Sequence, residues 1–66
     1  MRVQFDERAD AIYLRFDESE VVQSEEVHPG IVLDFNDKDE VVGVEVLRVV
    51  KRIPLENLKQ MQFEVA

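Results

Sequence analysis

The run Ile31-Val32-Leu33-Asp34-Phe35-Asn36-Asp37-Lys38-Asp39-Glu40-Val41-Val42-Gly43-Val44-Glu45-Val46 reads as two β-strands folded back on each other. Aliphatic and β-branched residues flank a polar stretch of the kind that closes hairpins. A turn over Asn36 to Asp39 sets Phe35 opposite Glu40, Leu33 opposite Val42 and Ile31 opposite Val44. Directly opposed residues share a face. Ile31, Leu33, Phe35, Val42, Val44 and Val46 therefore fall on one side. Asp34, Val41, Gly43 and Glu45 fall on the other, with Val32 beside them. A slip by one residue would mix the two sets, so the apolar pattern argues strongly against it.

Period-two alternation recurs toward the N-terminus. Val3-Gln4-Phe5 alternates, Asp6 to Asp10 is a polar turn, and Ile12, Leu14 and Phe16 alternate with Tyr13 and Arg15. That is the pattern of half-buried strands. A charged loop of hairpin length, Asp17 to Glu20, leads to a third segment from Val21 to Val27. His28-Pro29-Gly30 then forms a turn, because Pro presets φ and Gly permits positive φ. The fifth segment runs from Val41 to about Val50. Beyond it, Pro54 suits the first turn of a helix, and Leu55, Leu58 and Met61 repeat at three-residue spacing. Met61, Phe63 and Val65 also alternate with Gln62 and Glu64. The expectation is a helix of about two turns from Pro54 to Gln60, followed by a short terminal strand. The fold class is α+β: a single antiparallel β-sheet of about five strands, built as a meander of hairpins, with one short C-terminal helix. Residues 1–66 make one small domain, with a core over about 2–52 and the helix and terminal strand in 53–66.

Composition excludes several classes of function. The 66 residues carry eight Lys+Arg and fifteen Asp+Glu, a formal charge of −7, with a pI of about 4.5. Such a surface repels phosphate backbones, so nucleic acid is not an expected partner of the free protein. No apolar run reaches the roughly 18 residues that would span a bilayer, so no membrane role is expected. The N-terminus lacks the apolar stretch of a signal peptide, which makes a cytoplasmic location the default. With no Cys, there are no disulfides, thiolate zinc sites or iron–sulfur clusters. A chain of this size has room for one core, and no cofactor is expected.

Material for nucleophilic catalysis is scarce. There is no Cys or Thr, one His, and Ser only at positions 19 and 24. Ser24 and His28 would lie about 13 Å apart along a straight strand, too far for a hydrogen bond. His28 reads as a solvated turn residue. Carboxylates are plentiful: Asp34 and Glu45 share a sheet face, and Asp10 sits at the mouth of the second strand. Hard cations such as Mg²⁺, Mn²⁺ or Ca²⁺ take such oxygens. Against that, the same acids also fit a solvated sheet face. Tyr13 shares its face with Arg15 and is a contact residue or a cover for the core edge. Tyr13 packing over Gly43 would explain both residues without a ligand. Arg48, Lys51 and Arg52 form the one basic spot; three charges in a −7 chain are weak evidence for phosphate binding, and neutralisation of nearby acids such as Glu45 and Glu56 is the simpler reading. The candidate interaction or carboxylate patch is thus Asp10, Tyr13, Asp34 and Glu45. No residue is assigned as catalytic, cofactor-binding or metal-ligating.

Three blocks carry a resemblance. Asp6-Glu7-Arg8-Ala9-Asp10-Ala11-Ile12-Tyr13-Leu14 fits a D-x-x-A-D-A-hydrophobic-Y-hydrophobic opening. Pro29-Gly30-Ile31-Val32-Leu33-Asp34-Phe35 leads three hydrophobic residues into D-aromatic, and Val42-Gly43-Val44-Glu45-Val46-Leu47 gives hydrophobic-G-hydrophobic-E-hydrophobic-L. In this order, over about residues 2–52, they resemble the small prokaryotic domain-of-unknown-function family numbered 2283. The turn Asn36 to Asp39 departs from it, since such proteins often carry a Gly there. The resemblance implies a small stand-alone β-rich protein without an assigned activity, and by analogy an antitoxin-like or partner-neutralising role.

The function expected from these residues is a protein-interaction module, either a homodimer or a cover for a basic protein partner. The alternative is a carboxylate-based metal-binding or hydrolytic enzyme using Asp10, Asp34 and Glu45, which requires the three to converge.

Overall fold

The computed structural model describes residues 1–66, with five strands, a 3₁₀ turn and a one-turn helix. The strands are β1 (Arg2–Asp6), β2 (Ala11–Arg15), β3 (Gln23–His28), β4 (Ile31–Phe35) and β5 (Val41–Leu47). The 3₁₀ turn covers Val49–Lys51 and α1 covers Leu55–Leu58. All strand pairs are antiparallel, and the spatial order is β1-β2-β5-β4-β3. This is not a plain meander. The last strand inserts between two hairpins, and residues 16–22 cross from β2 to the far edge instead of closing a hairpin.

Side-chain chemistry explains the order. β5 is the most uniformly β-branched segment and takes the centre, where both of its edges are paired. The outer strands read Arg-Val-Gln-Phe-Asp and Gln-Ser-Glu-Glu-Val-His. Charged residues on exposed edges discourage unwanted strand pairing. Every residue of β3 is exposed.

The β4–β5 register corrects the simple hairpin count. Asn36 N–H donates to the Glu40 carbonyl at 3.0 Å and Asp39 N–H to the Asn36 carbonyl at 3.1 Å, so the loop holds three residues rather than four. Phe35 consequently faces Val41. Carried onward, that one-residue slip would set Leu33 against Gly43 and scramble the faces. A bulge next to the Phe35–Val41 pair removes the error: beyond it Asp34 faces Gly43, Leu33 faces Val44 and Ile31 faces Val46. The total displacement from the simple count is two residues, which restores the original parity. Ile31, Leu33, Val44 and Val46 stay together, and β2 adds Ile12 opposite Val46 and Leu14 opposite Val44. The bulged residue Val42 keeps a partner, its carbonyl accepting Phe16 N–H at 2.8 Å. Val42 is 2% exposed.

Asn36 specifies the short turn. Its side-chain oxygen accepts the Lys38 and Glu40 N–H groups, each at 3.0 Å, and its amide donates to Glu40 Oε1 at 2.9 Å. Asp39 closes the turn at φ 61°, the left-handed region that Gly enters without strain.

The C-terminal expectations are only partly met. The helix is a single turn rather than two, and Met61 to Ala66 form no strand. Leu58 docks and is buried, but Met61, Phe63 and Val65 are all exposed. A four-residue helix has no intrinsic stability and persists through such docking. Asp10 anchors the chain just before it. Its carbonyl accepts Val49 N–H at 3.1 Å and its carboxylate accepts Val50 N–H at 2.9 Å, which brings Val49 to complete burial.

Asp39→Gly should stabilise the protein by about 1 kcal/mol through relief of the left-handed strain. Asn36→Ala should cost about 1–3 kcal/mol, because it leaves partly buried N–H groups unpaired. Urea unfolding of the two variants checks the pair, and an unstrained Asp39 would show as no gain from glycine.

Candidate functional site

The face opposite the aliphatic set gathers its polar groups around a gap. Gly43 in β5 faces Arg15 in β2 and Asp34 in β4. Glu45 faces Tyr13 and Val32, and Ser24 in β3 faces Asp34. A bulge between Glu26 and His28 places Ser24 there. Counting straight back from the His28–Ile31 pair would instead oppose Asp34 with Glu25, a like-charge pair. The shift exchanges that repulsion for a hydrogen bond from Ser24 Oγ to Asp34 Oδ1 at 2.6 Å.

Gly43 leaves the space these groups occupy. A Cβ at that position would lie 3.2 Å from the Tyr13 hydroxyl, 3.3 Å from Asp34 Oδ2 and 3.3 Å from the Leu14 carbonyl. Tyr13 therefore does pack over Gly43, and its hydroxyl accepts a hydrogen bond from Arg15 Nη1 at 3.2 Å. The same guanidinium donates to the carbonyls of Asp17, at 2.5 Å, and of Ser19. Arg15 thus ties the polar cluster to the start of the crossover. Asp17, exposed in that crossover, is held below the ordinary carboxylate range by hydrogen bonds from the Ser19 hydroxyl and N–H.

Asp34 is 2% exposed, so it is not one of a row of solvated acids. Beside it, the Glu45 carboxyl is pushed above its ordinary value. Burial is the largest cause, followed by the hydrogen bond that protonated Glu45 gives to Asp34 and by repulsion from the Asp34 charge. A carboxyl that resists ionisation can donate a hydrogen bond where an ionised one cannot.

Of the four sequence candidates, the structure brings together Tyr13, Asp34 and Glu45. Asp10 stands apart: it spends its carboxylate on Val50 N–H and holds the 3₁₀ turn. No group of three or more Asp, Glu or His side chains is arranged to hold a metal ion, and no pocket opens on the molecule. Sequence reasoning missed Ser24 and Arg15 as members of the cluster. Ser24 was hidden by the bulge that sets its register. Arg15 carried a signal, since it alternates on the same face as Tyr13.

The raised Glu45 carboxyl predicts a pH dependence. Its folded form binds a proton more tightly than the unfolded chain. Stability on its account is greatest below the ordinary glutamate value of 4.5 and falls as pH rises through the higher folded value. Glu45→Gln keeps a donor toward Asp34 without the charge. It should stabilise the protein at pH 7, with the advantage shrinking toward pH 4. Chemical denaturation across that range would contradict this if the gain were constant or the variant weaker at neutral pH.

The comparison with curated proteins and that with solved structures gave no match. The model of a family described as a protein of unknown function, DUF2283, matches residues 2–49, which takes in all five strands and both sides of the polar cluster, and the chain belongs to that family.

Proposed function

We propose that the protein is an interaction module whose simplest form is a homodimer joined through its apolar sheet face. The observation that carries this reading is how little the single chain buries. Only Val42, Val49 and Leu58 are buried among the hydrophobic residues outside glycine. Ile12, Leu14, Ile31, Leu33, Val44 and Val46 are each left half-buried. Along the same face, Val3 sits opposite Leu14 and is 47% exposed, and Phe16, next in the alternation after Leu14, is 44% exposed. Small domains with so thin a core gain stability by covering an apolar face with a partner.

A basic partner is the second form of the same module. The formal charge of −7 and the exposed Glu25 and Glu26 on edge strand β3 support it, because acidic surfaces steer basic proteins into contact. The enzyme alternative draws no support from the geometry. Its three carboxylates do not converge, since Asp10 is engaged at the far end of β2.

Salt separates the two forms of the module. Two copies of a −7 chain repel, so screening should tighten a homodimer, whereas a complex with a basic protein should loosen. Sedimentation equilibrium between 50 and 500 mM NaCl should show a dimer that strengthens with salt. Val3→Asp and Phe16→Asp, both at exposed positions, should weaken it by about tenfold or more each, the equivalent of losing about 1.4 kcal/mol of apolar contact. A chain that stays monomeric to several hundred micromolar would remove the homodimer.

A further inference from the structure

The basic spot forms no ion pair with the acids near it. Glu45 is engaged with Asp34, and the ion pair in the structure joins Arg2 to Glu18 at 3.0 Å. Arg48, Lys51 and Arg52 pair with no carboxylate, in a chain where acids outnumber bases by fifteen to eight. Moreover, two of the three charges are pressed together. A Cβ built on Gly30 would stand 2.5 Å from Arg52 Nη2 and 2.9 Å from Arg48 Nη2, so those nitrogens are no farther apart than the sum of the two distances. Like charges at that range repel unless a counter-ion lies between them.

The fold works to hold them there. Arg52 is fixed by two backbone carbonyls, donating from Nη2 to Pro29 at 2.8 Å and from Nε to Leu47 at 3.3 Å. Gly30 is buried at φ +83°, and its carbonyl accepts Leu47 N–H at 2.8 Å, which locks the turn against the end of β5. Arg48 sits at φ 54°, a left-handed conformation costing an ordinary L-residue about 1–2 kcal/mol. That conformation, shared by Asp10 and Asp39, turns the chain from the end of β5 into the 3₁₀ turn. The Arg48 guanidinium itself donates to no group of the chain. Its donors, and Nη1 of Arg52, are therefore free for a ligand.

We propose that Arg48 and Arg52, with Lys51 beside them, form a binding site for a phosphate group. Guanidinium groups present paired donors that match phosphate oxygens. A phosphate dianion balances both arginine charges, whereas a carboxylate balances one. A polyanion is disfavoured because the remainder of the surface is acidic. The ligand class is thus inorganic phosphate or a small phosphomonoester. Phosphate binding there does not depend on dimerisation.

The test is a titration followed by backbone-amide and arginine-Nε NMR signals, with inorganic phosphate, methyl phosphate, acetate and chloride at equal ionic strength. Phosphate should shift the Gly30 amide and the Arg48 and Arg52 Nε signals saturably. Arg48→Gln, which breaks no internal hydrogen bond, should weaken the binding by about tenfold or more, as expected for loss of a charge-assisted contact. Equal binding of methyl phosphate would assign a phosphomonoester, and binding of phosphate alone would assign the free ion. Shifts that chloride or acetate reproduces, or that survive Arg48→Gln unchanged, would overturn the proposal.

Discussion

The structure depends on the parity of β5. This strand is paired on both sides, so its alternation decides for β2 and β4 as well which side chains meet. The three-residue turn at Asp37 to Asp39 sets the wrong parity, and the extra residue Val42 corrects it. Without that correction Gly43 would lie opposite Leu33. The aliphatic residues of β2, β4 and β5 would then be divided between two faces, and neither would be apolar enough to hold a core or to bind another surface.

With the parity set, the two faces acquire different properties. One collects Ile12, Leu14, Ile31, Leu33, Val44 and Val46, and one turn of helix with a 3₁₀ turn is too little structure to give a 66-residue chain a large interior. The hydrophobic effect scales with area removed from water, so the half-buried face leaves further stabilisation to be gained by association. The other face uses the missing Gly43 side chain to bring two hydrogen-bonded sets together, Tyr13 with Arg15 and Asp34 with Ser24 and Glu45. Burying Asp34 there is tolerable because Ser24 supplies a donor and Glu45 holds its proton more tightly than usual. This arrangement makes the polar face a structural element with a specific register, not a row of solvated acids.

Much of this was legible in the residues. Period-two alternation located β1, β2, β4 and β5, the third segment was placed by its β-branched ends, the DUF2283 pattern was visible in its three blocks, and Gly43 pointed to a close approach that Tyr13 indeed makes. Bulges were not legible. A bulge adds one residue without a distinctive side chain, so neither Val42 nor the irregularity near Val27 could be read from pattern alone. Ser24 was missed for that reason. The central position of β5 also escaped, since local alternation carries no information about which non-consecutive strands pair. At the C-terminus, Met61, Phe63 and Val65 satisfy a strand pattern but have no neighbouring edge in the single chain, and pairing cannot be inferred from alternation without one. The clustering of Arg48 and Arg52 over Gly30 required the left-handed turn at Arg48, a conformation that nothing about an arginine announces.

The register itself is the most direct point of attack. A nuclear Overhauser spectrum of the folded protein reads cross-strand proximity without assuming any interface or ligand. Backbone contacts joining Asp34 to Gly43, Glu45 to both Tyr13 and Val32, and Ser24 to Asp34 are the expected result. Direct pairing of Leu33 with Gly43 and of Ile31 with Glu45, in place of those pairs, would show a ladder without the bulge, and would contradict both the apolar face and the polar cluster derived from it.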